Sequence, residues 1–212
     1  MNCGQCQGIE TVFDQKTAAQ KLKKYRTQGP DKTTRMLIDA LKAQGVEGAT
    51  LLDVGGGVGA IQHELLKQGA RSATDVEASS AYLATAKAEA ERQGYAGRVT
   101  YRYGNFVDLA PDVEPADIVT LDRVICCYHD MEKLVGLSSA RARRAYGVVY
   151  PRDTWWMRIG LAIGNAFLRL SRSSFRSFAH PTKAVDAVIR GNGLKQKFYR
   201  RTLLWQVVVY AR

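Results

Sequence analysis

The chain contains the stretch Leu51-Leu52-Asp53-Val54-Gly55-Gly56-Gly57-Val58-Gly59-Ala60-Ile61, in which an apolar strand ends in a glycine turn that leads directly into a helix. Glycine at positions 55, 57 and 59 lets the backbone turn sharply and lie close to a ligand, where a Cβ atom would intrude. This order of strand, glycine turn and helix predicts a site in which a ligand packs against the main chain.

An acidic residue, Asp53, lies two positions before the first glycine and narrows the class of ligand. The spacing Gly55-x-Gly57-x-x-Ala60 also satisfies the dinucleotide fingerprint. A pyrophosphate at this helix N-terminus would be held by backbone amides and the helix dipole, but the carboxylate of Asp53 would repel it. Asp53 instead favours a cationic ligand such as S-adenosylmethionine, which has an ammonium group, a sulfonium group and no phosphate.

The segment from Asp53 to Gly59 resembles the first motif of the class I S-adenosylmethionine-dependent methyltransferases, which is an acidic residue, any residue and then Gly-x-Gly-x-Gly. The resemblance implies that S-adenosylmethionine is the cofactor and that Asp53, Gly55, Gly57 and Gly59 bind it. These residues form the first part of the predicted cofactor site.

The same family has a second acidic residue at the end of the next strand, where it binds the ribose hydroxyls. The segment 70–75 ends in Asp75, which is predicted for this role, and Glu77 is the nearby competitor. A structural alternative is that Asp53 caps the glycine turn and Asp75 caps the helix that starts near Ser79.

Gly104-Asn105-Phe106 follows the third predicted strand, where the family has glycine, Asp or Asn, and an aromatic residue that holds and stacks on adenine. The resemblance implies that Asn105 and Phe106 contact the cofactor, because the amide oxygen of Asn105 can accept a hydrogen bond from the adenine amine. An ordinary loop turn is the alternative. Asp122, at the end of the fourth predicted strand, completes the cofactor set in the sheet.

The segments after the glycine turn alternate between helix and strand. Helices are predicted at about 58–68, 79–93 and from 131, and strands at 70–75, 98–102, 116–122, 144–150, 194–200 and 203–210. This order predicts an α/β chain with a Rossmann-like, doubly wound, seven-stranded sheet that binds ligands at its carboxyl end. The short joint Arg201-Thr202 requires a hairpin and hence an antiparallel last strand.

Two helices are predicted between Thr11 and Leu41, with a break at 28–31. In the resembled family such helices commonly lie across the cofactor, which implies a lid with Tyr25 facing inward; a solvated helix at the sheet edge is the alternative. We therefore expect an N-terminal helical lid at 1–45 and a cofactor-binding domain at 46–212 with a helical insert at about 151–180.

The length of 212 residues suits one α/β domain. No signal-peptide pattern opens the chain and no apolar run of about 18 residues occurs, so a cytoplasmic location is expected. The four cysteines are too few and too local for a disulfide framework. Cys3 and Cys6 have metal-ligand spacing, but a structural zinc site needs four ligands, so no metal site is predicted.

The net charge of +11 is distributed unevenly. Residues 1–140 contain 16 Lys and Arg against 18 Asp and Glu, whereas residues 141–212 contain 15 against two. Such a field attracts an anionic substrate, a nucleic acid or an acidic membrane surface, and it does not choose among them.

The insert contains a predicted helix at 153–170 in which tryptophans lie beside arginines. Such a helix can cover a flat, partly anionic substrate, and Trp155, Trp156, Arg158 and His180 are predicted to contact it. Two alternatives are a helix that makes peripheral contact with a membrane surface and a core helix whose arginines extend to solvent.

The segment from Thr120 to Asp130, at the end of the fourth predicted strand and beyond it, is dense in titratable groups. Methyl transfer needs orientation of the acceptor and a route for its proton. Tyr128 and His129 are therefore the candidate catalytic residues, although a histidine after a strand is commonly a cap or a surface residue.

Within the superfamily, the chain is similar to magnesium-protoporphyrin O-methyltransferases and related small-molecule enzymes. The similarity rests on Tyr25 before Gly29-Pro30, on the segment from Asp117 to Asp122 and on the arginine-rich and aromatic stretch before His180. We expect methyl transfer to oxygen or sulfur of a small, anionic or aromatic acceptor. RNA or protein methylation, and cofactor binding without catalysis, are the alternatives; nucleic acid is not favoured because the basic residues are scattered and lack an aromatic stacking platform.

Overall fold

The computed structural model describes residues 4–212 and their side chains from residue 8 onward, so the metal-ligand spacing of Cys3 and Cys6 lies outside the described side chains. The helices are α1 (Gly4–Val12), α2 (Gln15–Gln28), α3 (Lys32–Lys42), α4 (Ala60–Lys67), α5 (Ser80–Arg92), α6 (Phe106–Leu109), α7 (Met131–Ala140), α8 (Trp155–Leu170) and α9 (Thr182–Gly191). The strands are β1 (Thr50–Val54), β2 (Ser72–Glu77), β3 (Val99–Tyr103), β4 (Ala116–Asp122), β5 (Ala142–Pro151), β6 (Lys195–Arg201) and β7 (Trp205–Ala211).

The strands form one seven-stranded sheet in the order β3-β2-β1-β4-β5-β7-β6. Strands β1 to β5 are parallel, and β7 runs antiparallel to both β5 and β6. The predicted doubly wound sheet and the antiparallel last strand are therefore confirmed. The order of the strands reverses between β1 and β4, which is where an open α/β sheet binds its ligand.

Both faces of the central strands β1, β4, β5 and β7 are buried. Successive side chains of a strand point to opposite faces, so each strand contributes to two core clusters. In β4, Ile118 packs in the cluster with α3 and α4, and Val119 packs in the cluster with α6, α7 and α9. The backbone of Gly147 in β5 lies so close to α3 that a Cβ there would come 2.7 Å from Leu37. Helix α3 therefore belongs to the core, and of the predicted lid only α1 and α2 remain above the carboxyl end of the sheet.

Three elements differ from the sequence-based expectation. Strand β2 continues to Glu77 instead of ending at Asp75, and the helix α1 was not predicted. Helix α8 begins at Trp155, two residues after the predicted start, and none of its residues is buried, so the alternative of a core helix is wrong. Within residues 4–212, no helix has both the length and the apolar character needed to cross a membrane.

Candidate active site

A cavity of about 490 Å³ lies where β1, β2, β3 and β4 end and the loops that follow them begin, and α1 and α2 contribute to its wall. The predicted site residues that line it are Tyr25, Asp53, Gly55, Gly57, Asn105, Phe106, Asp122 and Tyr128. The predicted residues that do not line it are Gly59, Asp75, His129, Trp155, Trp156, Arg158 and His180.

The glycine loop has the backbone conformation that its sequence requires. Gly55 and Gly57 have φ angles of 69° and 61°, in the left-handed region that side chains with a Cβ rarely adopt. At Gly56 a Cβ would come 2.2 Å from the amide nitrogen of Gln62 and 2.7 Å from a carboxylate oxygen of Asp75. The loop therefore lies directly on a layer of buried polar side chains. Gly59 is the left-handed N-cap of α4 and lies off the cavity wall.

Two carboxyl groups form this layer, because the parallel register of β1 and β2 pairs Asp53 with Asp75. Asp53 accepts hydrogen bonds from the Thr120 hydroxyl at 2.7 Å and from the Gln62 amide at 3.2 Å. Burial raises the pKa of Asp53 to about 7 and that of Asp75 well above its usual value, in Asp75 with a further contribution from Asp53. Ionising both groups is therefore costly unless a cation lies nearby.

The structure places Glu77, rather than Asp75, on the cavity wall. Asp75 is fully buried below the loop, where Oδ1 accepts a hydrogen bond from the Gly56 amide at 3.3 Å and Oδ2 has no partner. Glu77 is the last residue of β2 and accepts hydrogen bonds from the backbone amides of Gly57 and Ser79, at 3.0 and 2.8 Å. The capping alternative for Asp75 is also wrong, because the Ser79 hydroxyl caps α5.

Asn105 and Phe106 lie at the start of α6. The Asn105 side-chain oxygen caps this helix by accepting a hydrogen bond from the Val107 amide at 3.2 Å. The side-chain nitrogen of Asn105 donates to the Tyr128 hydroxyl at 3.3 Å. Phe106 is 3% exposed and lines the cavity. The hydrogen bond from Asn105 links the segment after β3 to the segment after β4.

Helix α2 is fastened over the cavity by polar and aromatic contacts. Arg26 forms an ion pair with Glu89 of α5 at 2.5 Å. Although burial opposes ionisation, hydrogen bonds from Arg92, Arg26 and Gln93 lower the pKa of Glu89 to about 2. The Tyr25 hydroxyl donates to Glu64 at 3.2 Å.

The sequence gives no separate signal for Phe13, which precedes α2 and also lines the cavity. Its ring packs edge-on against Tyr82 and Phe175, with 5.7 Å between the ring centroids in each pair. Phe13 therefore joins α5 to the segment that follows α8.

Arg123 follows β4 and has a φ angle of 62°, which is unusual for a residue other than glycine. Its guanidinium forms ion pairs with Asp122 at 3.1 Å and with Asp31 at 3.0 Å. Despite partial burial, hydrogen bonds from Lys24 and Arg123 lower the pKa of Asp31 to about 2, so it is ionised. Arg123 also lies over the Trp205 ring, 6.0 Å from its centroid.

Of the predicted catalytic residues Tyr128 and His129, only Tyr128 lines the cavity. Tyr128 faces the cavity, whereas His129 is exposed, and its ring stacks on that of Tyr128 with 5.1 Å between centroids. His180 lies behind the same segment, where its Nε2 is 3.1 Å from the carbonyl oxygen of Ile125 and 2.9 Å from that of Tyr128. His180 therefore positions the segment that contains Tyr128, and the assignment of His129 and His180 to direct contacts is corrected.

The predicted substrate residues of α8 also lie elsewhere. Trp155 is 74% exposed, and Arg158 pairs with Asp153 at 2.7 Å on the surface. Neither they nor Trp156 line the cavity. The corresponding wall is formed instead by the segment after α8, through Phe175 and Ser177, and by Trp205 of β7. The aromatic side chains on this part of the cavity wall are therefore Phe175 and Trp205 and not those of α8. Periodicity shows that a helix has an apolar face and does not show which way that face points.

Cys126 and Cys127 also line the cavity, with their sulfur atoms 3.8 Å apart. The hydrogen bond to Cys126 and burial together raise the pKa of Cys127 well above its usual value. The Cys127 thiol is therefore protonated at neutral pH and is a poor nucleophile.

Residues 52–144 match the model of a family described as a methyltransferase domain. No curated protein matches the sequence significantly. The fold is similar to that of magnesium protoporphyrin IX methyltransferase from Synechocystis PCC 6803, crystallised with bound SAH; the identity is 15%, the match covers 98% of this chain and 99% of that chain, and the TM-score is 0.76.

Two further solved structures share the fold. One is a putative sarcosine dimethylglycine methyltransferase from Galdieria sulphuraria, with 15% identity over 85% of each chain and a TM-score of 0.66. The other is geranyl diphosphate methyltransferase in complex with SAM, with 15% identity over 84% of each chain and a TM-score of 0.66. Residues 52–144 are therefore a methyltransferase domain, and the whole chain has the fold of S-adenosylmethionine-dependent methyltransferases.

Proposed function

We propose that the enzyme methylates an oxygen or sulfur atom of a small acceptor that combines an aromatic or apolar body with an anionic group. The observation that carries this proposal is that the glycine loop and an aromatic, partly cationic wall share one cavity beneath α1 and α2. When bound, S-adenosylmethionine supplies a methyl group on a sulfonium that is already activated for displacement. The protein then contributes mainly orientation and exclusion of water.

The residues at the glycine-loop end fit this cofactor. Gly55 and Gly57 expose main chain to the cavity, and the carboxyl groups of Asp53 and Glu77 suit a ligand with two positive charges and no phosphate. Burial raises the pKa values of Asp53 and Asp75, and Oδ2 of Asp75 has no hydrogen-bond partner among the described residues, so a cationic ligand at this end would favour the ionised carboxylates.

We assign the recognition of the adenosine group to residues at the ends of β2, β3 and β4. Glu77 would accept the ribose hydroxyls in place of Asp75, because it is the acid that reaches the wall. Asn105 and Phe106 would hold the adenine ring, and Tyr25 and Asp122 would contact the cofactor from α2 and β4. This assignment makes α1 and α2 the lid, with α3 part of the core.

The acceptor end is aromatic, with Phe13, Tyr128, Phe175 and Trp205 on its wall. Lys21, Lys24 and Arg123 lie on the same wall with Asp31 and Asp122, so three positive charges face two negative ones. A flat acceptor with a carboxylate or phosphate is complementary to this surface. We propose that the Tyr128 hydroxyl, positioned by Asn105, orients the acceptor atom that receives the methyl group.

The test is a methyl-transfer screen against anionic aromatic acids, thiols, prenyl phosphates, porphyrin carboxylates and RNA, with the mass of each product measured. We expect a gain of one methyl group on a carboxylate, hydroxyl or thiol of a small compound. Methylation of RNA alone would replace the proposal with the nucleic-acid alternative. Tight cofactor binding without transfer to any compound would favour the non-catalytic alternative.

A further inference from the structure

Helix α8 presents an apolar face to solvent. A surface helix of a globular protein normally turns its apolar face toward the core, yet none of the 16 residues of α8 is buried. The exposed large apolar side chains on it are Trp155 (74%), Ile159 (52%), Ile163 (54%), Phe167 (66%) and Leu170 (82%). Contiguous exposed apolar patches of this kind mark interaction surfaces.

The opposite side of α8 is fixed to the rest of the protein. Asn165 donates a hydrogen bond to the Ser177 carbonyl oxygen at 2.8 Å and accepts one from the Ser177 amide at 2.9 Å. The orientation of the helix is therefore set by the fold, and its apolar face is held outward.

A second group of exposed apolar side chains lies near the start of α8. Leu203 and Leu204, in the turn between β6 and β7, are 74% and 46% exposed. The Arg152 amide donates to the Leu204 carbonyl oxygen at 2.9 Å, so this turn lies beside the start of α8. We call the exposed residues of α8 together with Leu203 and Leu204 the apolar platform.

The charges around the apolar platform are almost all positive. Helix α8 contains Arg158 and Arg169 and no acidic residue, and Arg172, Arg176, Arg200 and Arg201 lie in the neighbouring segments. Residues 141–212 contain only two acidic residues, Asp153 and Asp186. A partner surface must therefore be apolar where it meets the helix and anionic at the edges.

We propose that the apolar platform docks on an anionic lipid bilayer with α8 lying in the plane of the interface. An interfacial helix of this kind has Trp, Phe and Leu on one face and arginines that reach the headgroups. Its length of about 24 Å at 1.5 Å per residue suits a helix that lies on the membrane. A second copy of the chain is a poorer match because it would bring arginines against arginines, and a nucleic acid offers no apolar surface to the helix.

The apolar platform adjoins the acceptor end of the cavity. Ser177, which Asn165 of α8 holds, lines the cavity together with Phe175 and with Trp205, which follows the Leu203-Leu204 turn. A docked enzyme would therefore hold its acceptor wall near the bilayer. This consequence rests on the proposed acceptor site, whereas lipid binding itself does not.

The test is co-sedimentation of the full chain with vesicles of phosphatidylcholine alone or of phosphatidylcholine with phosphatidylserine. We expect binding to the anionic vesicles to be at least tenfold stronger and to weaken as salt is raised. A Trp155→Ser, Ile163→Ser, Phe167→Ser variant should lose at least tenfold in partitioning while its Tm and its affinity for S-adenosylmethionine stay unchanged, because these side chains are exposed.

Two further variants sharpen the test. Tyr103→Ser removes an aromatic side chain that is 49% exposed on β3, at the far edge of the sheet from β6, and should leave vesicle binding unchanged. Arg158→Gln with Arg169→Gln should lower the preference for anionic vesicles by about fivefold per arginine. Absence of vesicle binding, or a dimer that the triple variant converts to monomer, would overturn the proposal. Binding of the protein to RNA, with a steep salt dependence, in place of binding to vesicles would overturn it as well.

Discussion

The two ends of the cavity are built in different ways. The cofactor end is made from the loops that follow neighbouring parallel strands, and its Gly55, Gly57 and Glu77 lie within one βαβ unit. The proposed acceptor end brings together Phe13, Phe175 and Trp205 from distant parts of the chain. A site made from local backbone and buried charge leaves a pattern of spacing in the sequence, whereas a wall assembled from distant segments leaves none.

The largest expected effect is the difference in cofactor affinity between a Glu77 variant and an Asp75 variant. Glu77→Gln should weaken S-adenosylmethionine binding by roughly 10- to 100-fold, which corresponds to the loss of about 1.5–3 kcal/mol for a hydrogen bond to a charged group. Asp75→Asn should change the affinity for S-adenosylmethionine by less than about threefold. At pH values above neutral this variant should have a higher Tm than the unmodified protein, because it lacks a buried carboxyl group that resists ionisation. Calorimetry and thermal unfolding measure both effects, and the reverse ranking of affinities would return the ribose role to Asp75.

The next effect is a pH dependence of cofactor binding. Burial raises the pKa of Asp53 to about 7, so the carboxylate that attracts a cation forms as the pH rises through that value. Affinity for S-adenosylmethionine should increase by up to about tenfold per pH unit below pH 7 and level off above it, with a proton released on binding. Calorimetry in two buffers of different ionisation enthalpy detects that proton. If the Asp53→Asn variant keeps the same pH profile, the titrating group is another residue.

The same carboxyl group affects folding in the opposite direction. Its folded pKa exceeds the usual value of 3.8, so the folded state binds more protons than the unfolded state between about pH 4 and 7. The contribution of Asp53 to the free energy of unfolding of the unliganded protein is therefore largest at low pH and decreases as the pH rises toward 7. Bound cofactor should reduce that decrease.

At the acceptor end, Phe175→Ala should raise the acceptor KM by about tenfold, consistent with the loss of an aromatic contact worth about 1.5 kcal/mol or more. The Kd for S-adenosylmethionine should change less than about twofold. Trp155→Ala is the matched control because Trp155 lies outside the cavity, and in lipid-free solution it should leave both constants unchanged. A larger rise in KM for Trp155→Ala than for Phe175→Ala would restore α8 as the substrate cover.

The smallest effect is expected at the exposed histidine. His129→Ala should change kcat by less than about twofold, since the side chain does not line the cavity, whereas Tyr128→Phe should lower kcat/KM several-fold through the loss of about 1 kcal/mol of hydrogen bonding. Steady-state rates at saturating cofactor distinguish the two. A loss of activity in His129→Ala that imidazole restores would assign the general base to His129.

The sequence predicted the sheet more accurately than it predicted the environment of single residues. Strand β4 was predicted at 116–122 and is found there, because a buried parallel strand is a continuous apolar run between charged residues. For β2 the same criterion ended at Asp75, although Val76 extends the strand and carries Glu77 to its end. Because β2 is two residues longer than predicted at this end, Glu77 and not Asp75 reaches the cavity wall.

Helix α8 shows what apolar periodicity in the sequence cannot predict. Its apolar periodicity predicted a helix correctly, but the same pattern is compatible with the core, a substrate cover and a free surface. The absence of buried residues in α8 rules out the core. The contact between Asn165 and Ser177 fixes which side of the helix faces the protein, and it joins residues whose partnership has no signature in the sequence. The places of Phe175 and Trp205 on the cavity wall could not be predicted for the same reason.

The segment 171–180 forms part of the cavity wall, at its proposed acceptor end, without belonging to any helix or strand. It is tied to the body through Ser177 and through the Phe178 amide, which donates to the Cys126 carbonyl oxygen at 2.8 Å. Because no hydrogen bond of the sheet depends on it, its length and side chains can vary without cost to the strands that form the cofactor end. If the proposed acceptor site is correct, acceptor range is open to engineering, and to evolutionary divergence, by exchange of a single loop.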